Sequence, residues 1–193
     1  MKRRAESQQE TRLRITESAI ALHGTVGPSR TSISAVAAHA GVRRSTVYRH
    51  FPDEAALFDA CTAHWAAANP PPDLAAWARI ADPDERLRAA LGELYAFYRH
   101  TEAMLDNLFR DETTVPLVQE RFAAFRGYLE AARDTLMAGR SVRGSARRRT
   151  RAALGHAITY STWKSLVREQ QLDDSAAATL VRAFVAAGAP GTR

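Results

Sequence analysis

Cysteine is nearly missing from this chain of 193 residues: Cys61 stands alone. No intrachain disulfide can form, and a reducing, cytoplasmic setting is expected. Lysine is almost as scarce, two residues against twenty-five arginines; with the abundance of alanine, that balance points to a GC-rich bacterial genome. No apolar run approaches the ~20 residues of a membrane span, so no membrane partner is expected. The opening MKRRAESQQETR leads into no continuous apolar stretch, so a secretory leader is not expected either.

The motifs of common chemistries are missing as well. The sequence has no GxSxG, no GxxxxGK[ST] and no GxGxxG. Its six histidines form no HxxxH or HExxH pair, and no Glu-x-x-His occurs. A zinc site or a di-iron bundle therefore has no local signature. The expectation is a non-enzymatic chain with no metal and no cofactor. Strand-type alternation with hairpin turns and internal repeats are also wanting, which leaves an all-α chain.

What is present is charge in one place. The formal net charge is +6. Residues 1–51 carry nine Lys or Arg against three Glu, whereas residues 52–193 carry eighteen of each sign. The whole excess lies in the first quarter of the chain, as the footprint of a polyanion-binding segment would.

That quarter contains TSISAVAAHAGVRRSTVYRHF, residues 31–51. Ile33, Val36, Ala37 and Ala40 recur at helical spacing behind Ser32, a good N-cap. Gly41 falls where a helix needs a left-handed stop. A second short helix, Arg44 to His50, turns Val47 inward and ends before Pro52, which disfavours helical geometry at Phe51. Two helices joined by a tight Gly turn make a helix-turn-helix, whose second helix fits the DNA major groove. Its outward residues, Arg43, Arg44, Ser45, Thr46, Tyr48, Arg49 and His50, are donors or acceptors and none is acidic.

These residues, with Ala40-Gly41-Val42, Val47-Tyr48-Arg49-His50-Phe51 and then Leu57-Phe58, resemble the DNA-binding domain of the TetR family of transcriptional regulators over about residues 8–65. The reading of the helix faces assigns base contacts to Arg43, Arg44, Ser45 and Tyr48, and phosphate contacts to Thr31, Ser32, Tyr48, Arg49 and His50. One departure from the family pattern is Glu54, where lysine is common, which takes a phosphate contact away from that side chain. The polar, basic residues 1–7 read as a tail or an arm toward DNA.

A first helix is expected over Gln8 to His23, giving a three-helix head over residues 1–52. Residues 53–193 form the second domain, its first helix connecting the two, with a break at Asn69-Pro70-Pro71-Pro72 that marks the boundary in composition. Asp53 and Asp82 are helix N-caps, and Leu87, Leu91, Leu94, Tyr98, Thr101, Leu105 and Leu108 form one stripe. Val118, Phe122, Phe125, Leu129, Ala132 and Leu136 form the next. The last two helices are expected over Ser145 to Gln170 and Ser175 to Ala187, the final one capped by Ser175. The penultimate helix is apolar or small almost all round and needs covering on both sides. The resemblance implies that these two helices pair with their copies in a homodimer, facing a palindromic double-stranded operator, and that a small-molecule effector binds the second domain. Tyr98, Asn107, Phe125, Tyr128, His156, Tyr160 and Trp163 are the expected effector pocket. The run Arg140, Arg143, Arg147, Arg148, Arg149 and Arg151 reads as a solvated loop and helix start. A ligand-independent architectural DNA binder and a helical enzyme are the rival readings.

Overall fold

The computed structural model describes residues 2–189. It is built from helices alone, with no strand among the described residues. The long helices are α1 (Lys2–Thr25), α4 (Glu54–Ala68), α6 (Pro83–Asp111), α7 (Pro116–Met137), α8 (Gly144–Ala157) and α10 (Asp174–Gly188). The short ones are α2 (Ile33–His39), α3 (Arg44–His50), α5 (Leu74–Ala78) and α9 (Tyr160–Lys164), the last running on into a π-helical turn, Ser165–Glu169. The expected tail over residues 1–7 is helix from Lys2 onward; Met1 and the side chains of residues 2–4 lie outside the described part.

Two compact units form. The first comprises Met1–Pro70 with Thr101–Ala123, and the second Pro71–His100 with Ala124–Arg193. The first division in the chain falls within the proline run, and α4 lies in the same compact unit as α1–α3. In the first unit α1 packs on α2 and α4, and α2 packs on α3. Ile15, Ala19, Ile33, Val36, Ala37, Ala40, Val47, Phe51, Leu57 and Cys61 are its buried core. Small residues on α2 allow the close crossing with α3. Asp53 accepts from the Ala56 amide at 2.7 Å and fixes the start of α4, as its position before an apolar run requires.

In the second unit the sequence reading needs two corrections. The helix expected over 145–170 is broken at Ile158 and Thr159. Thr159 adopts an extended backbone and caps α9 through its hydroxyl, which accepts from the Thr162 amide. The carbonyls left over by the break find side-chain donors. His156 O accepts from the hydroxyls of Thr159 and Thr162, Ala157 O from Tyr95 Oη at 3.1 Å, and Ile158 O from Tyr98 Oη at 2.5 Å. Both tyrosines are fully buried. The break is therefore stable because α6 supplies hydroxyls where the backbone stops satisfying itself. The second correction is the cap of α10: Asp173, not Ser175, accepts from Ala176 N at 2.7 Å. Its neighbour Asp174 receives both the Arg99 guanidinium and the Trp163 indole N–H, tying α6, α9 and α10 together.

Candidate nucleic-acid interface

The turn between α2 and α3 is built as its glycine demands. Gly41 sits at φ +65°, and Val42 N–H donates to Ala37 O at 2.9 Å, closing α2 while the chain reverses. Ser32 caps α2 by accepting from Ala35 N at 3.1 Å. Val47 is completely buried and anchors α3 in the core. With that side chain fixed, Arg43, Arg44, Ser45, Tyr48 and Arg49 are exposed, while Thr46 and His50 are half-buried. Arg44 donates to Tyr48 Oη at 3.1 Å and lies over its ring, so these two side chains stand on the surface as one preformed pair. Partial burial, followed by the nearby cations Arg49 and Arg12, holds the His50 pKa below its ordinary value. Thr31 Oγ1 donates to Gly27 O, leaving the hydroxyl oxygen as an acceptor. All nine sequence-predicted contact residues thus fall on α3, its leading residue Arg43, or the two residues that lead into α2. Glu54 is exposed in the first turn of α4, where a carboxylate suits the helix dipole.

Four residues the sequence reading did not assign to the site also shape this head. Arg12, on α1, donates to His50 O and lies 4.0 Å from the centroid of the Phe51 ring. The other three form a clasp on the turn between α1 and α2. Asn107 Nδ2 donates to His23 O at 2.8 Å, Arg110 donates to Val26 O at 3.0 Å, and Asp111 accepts from Ser29 N at 2.9 Å. Arg110 also donates to Asn107 Oδ1 and to the Asp111 carboxylate. Burial alone would raise the Asp111 pKa, but the bonds from Arg110 and the Ser29 amide hold it below the usual carboxylate value. An acid on the apolar stripe of α6, three residues beyond Leu108, was the available sign of this clasp. Beside it, burial lowers the pKa of His23 to about 4 against a smaller raising effect of Asp111.

Asn107, expected in the effector pocket, has its Nδ2 bonded to His23 O and its Oδ1 to Arg110 within the clasp. Of the remaining pocket residues, Tyr98, Tyr160 and Trp163 form one aromatic group, with centroids 5.5–6.1 Å apart. Phe97 links this group to Phe125, which stacks on Tyr128 at 6.1 Å. His156 stands apart, exposed on α8 against Phe184. A small cavity of about 80 Å³ lies inside the head among His23, Ile33, Leu57 and Phe58; it is far below the roughly 300 Å³ a drug-sized ligand needs. In the basic run, Arg140 bonds Asp84 and Arg151 pairs with Asp134, while Arg143, Arg147, Arg148 and Arg149 are exposed. No group of three metal-binding side chains occurs among the described residues, and no described helix is long and apolar enough to cross a membrane.

Residues 15–61 match the family model of the bacterial regulatory proteins of the tetR family, a stretch that spans α2, α3 and the turn between them. Over that segment the chain is similar to the DNA-binding domain of the tetR-family regulators. No curated protein matches the sequence. Among solved structures, a TetR-like transcriptional regulator from Rhodococcus sp. RHA1 is 20% identical, with 92% of this chain and 94% of that one covered at a TM-score of 0.68. A tetR-family regulator from Streptomyces coelicolor is 18% identical over 93% and 80% of the two chains, with a TM-score of 0.61. The regulator FadR from Bacillus subtilis, solved with stearoyl-CoA, is 18% identical over 94% and 99%, with a TM-score of 0.59. At these identities the likeness is one of fold: the TetR-type head continues into an all-helical second part of the same architecture.

Proposed function

We propose that this chain is a regulator of the TetR family, a homodimeric repressor that holds a palindromic operator through two copies of α3 and leaves it when an apolar small molecule binds the second unit. The observation that carries the reading is the outer face of α3, where Arg43, Arg44, Ser45, Tyr48 and Arg49 stand exposed on a helix anchored by Val47. Arg44 and its Tyr48 partner read base edges, and Thr31, Ser32, Thr46, Arg49 and His50 hold phosphates.

The dimer is supported by the outer face of α10. Leu180 and Phe184 are each 52% exposed, on the same side as Ala176, Ala183 and Ala187, and α10 packs on α8. A helix pair with such a face fits a second copy of itself by two-fold symmetry. Leu180→Glu with Phe184→Glu then yields a monomer by sedimentation. The aromatic group of Tyr98, Phe125, Tyr128, Tyr160 and Trp163 supports an effector with a large apolar body, in line with the stearoyl-CoA held by the Bacillus fold relative. Release of the operator is a population shift, in which the effector favours a dimer with wrongly spaced reading heads. The clasp of Asn107, Arg110 and Asp111 is the natural route, since it joins α6 to the turn that precedes Thr31 and Ser32.

Selection of duplexes from a randomised pool by the full-length protein tests the reading directly, with enrichment of a palindrome expected. On that duplex, Arg44→Ala relaxes base preference, whereas Arg49→Ala weakens all sequences alike and reduces the salt slope by about 1. Enrichment without a consensus would instead make the chain a sequence-indifferent architectural protein.

A further inference from the structure

Helix α3 has only seven residues, and neither end carries a side-chain cap of its own. Two turns of helix are unstable alone, so the direction in which α3 points must come from its attachments. Val47 fixes the middle. At the far end Phe51 turns the chain into an extended conformation, and its amide satisfies Val47 O at 2.8 Å. The carbonyl of His50 then lies at the negative pole of the helix. Arg12, reaching across from α1, donates to that oxygen and lays its guanidinium over the Phe51 ring, itself 1% exposed. A planar cation is suited to both tasks at once: it donates to a helix C-terminus, where positive charge is favoured, and stacks on an aromatic face.

We infer that Arg12 is the positioning residue that sets the orientation of the recognition helix, acting through His50 O and Phe51 rather than by touching DNA. The inference rests on the reading of α3 as the DNA-contacting helix. It differs from the alternative suggested by the exposure of Arg12, a phosphate contact, in what it predicts for salt dependence. A phosphate contact contributes to counterion release; a helix clamp does not.

The test uses full-length protein and the duplex that the wild type enriches from a randomised pool, with a scrambled duplex as reference. Arg12→Ala weakens binding to the selected duplex by about tenfold, the loss expected for one charge-assisted hydrogen bond. It lowers the preference for selected over scrambled DNA and leaves the slope of log affinity against log salt at the wild-type value. Arg12→Lys, which keeps the cation but not the planar stack, recovers part of that preference. A slope shallower by about one would make Arg12 a phosphate ligand. Equal losses on both duplexes at unchanged slope would reduce it to a general structural residue, and wild-type affinity in Arg12→Ala would remove any role. Failure of the wild type to enrich any duplex would strike the DNA-binding reading itself.

Discussion

Removing the carboxylate of the clasp is the sharpest perturbation of the head. Asp111 is 2% exposed and accepts from the Ser29 amide at 2.9 Å and from Arg110 at 2.8 Å. In Asp111→Ala the Ser29 amide loses its charged partner, which for a bond to an ionised group costs about 1.5–3 kcal/mol. Breaking a fully buried ion pair can cost about 3–5 kcal/mol. Arg110 is 46% exposed and regains water when freed, so the lower range applies. A loss of about 1.5–3 kcal/mol is expected, equivalent to a fall in melting temperature of roughly 3–12 °C for a chain of this size. Calorimetry measures it, and digestion by a protease with sites in residues 24–31 locates it, because the turn held by the clasp opens first. Asp111→Asn, which keeps an acceptor, loses less. A melting temperature within about 1 °C of wild type for Asp111→Ala would refute the assignment of the clasp as a support of the head.

Other outcomes follow from burial and hydrogen bonding. For His23, the unfolded chain takes up a proton near pH 6.5 and the folded chain only near 4, so the unfolded state binds more protons between them. Stability is therefore full above about pH 6.5 and falls toward pH 4, by about 3 kcal/mol from this group; His23→Gln flattens that part of the denaturation curve, and identical curves would contradict the burial. Tyr98→Phe keeps the ring but orphans Ile158 O at the helix break, which costs about 1–3 kcal/mol in urea unfolding with far-ultraviolet dichroism unchanged. Burial pushes the Cys61 thiol up to about 12, so a thiol reagent at pH 8 labels it only in the unfolded chain. Rapid labelling of native protein would sink that last expectation.

The sequence spoke clearly where structure is made by neighbours. Ser32, Gly41, Pro52, Asp53 and Asp82 act over four residues or fewer, and each takes the position its chemistry implied. It was silent where partners are distant. Nothing in Ala152–Trp163 announces a break, because the groups that stabilise it, Tyr95 and Tyr98, lie about sixty residues earlier. Asn107 read as a polar group among the large apolar residues Met104, Leu105 and Leu108; its acceptor, His23 O, is 84 residues away. Arg12 gave no sign at all, being exposed on α1 just as Arg14 is. The choice between Asp173 and Ser175 as a cap failed for a different reason: both are good capping residues, and two positions of helix phase separated them.

Two glycines flank α2, and the protein treats them differently. At Gly27, φ is +93° and a Cβ would run into the Arg110 guanidinium and come within 2.7 Å of Asp111 Oδ2. At Gly41, φ is +65° and a Cβ would meet nothing within 4 Å. In a saturation library screened for folded protein, position 27 therefore returns a single letter, while position 41 admits asparagine, which tolerates the left-handed backbone, as a minority survivor.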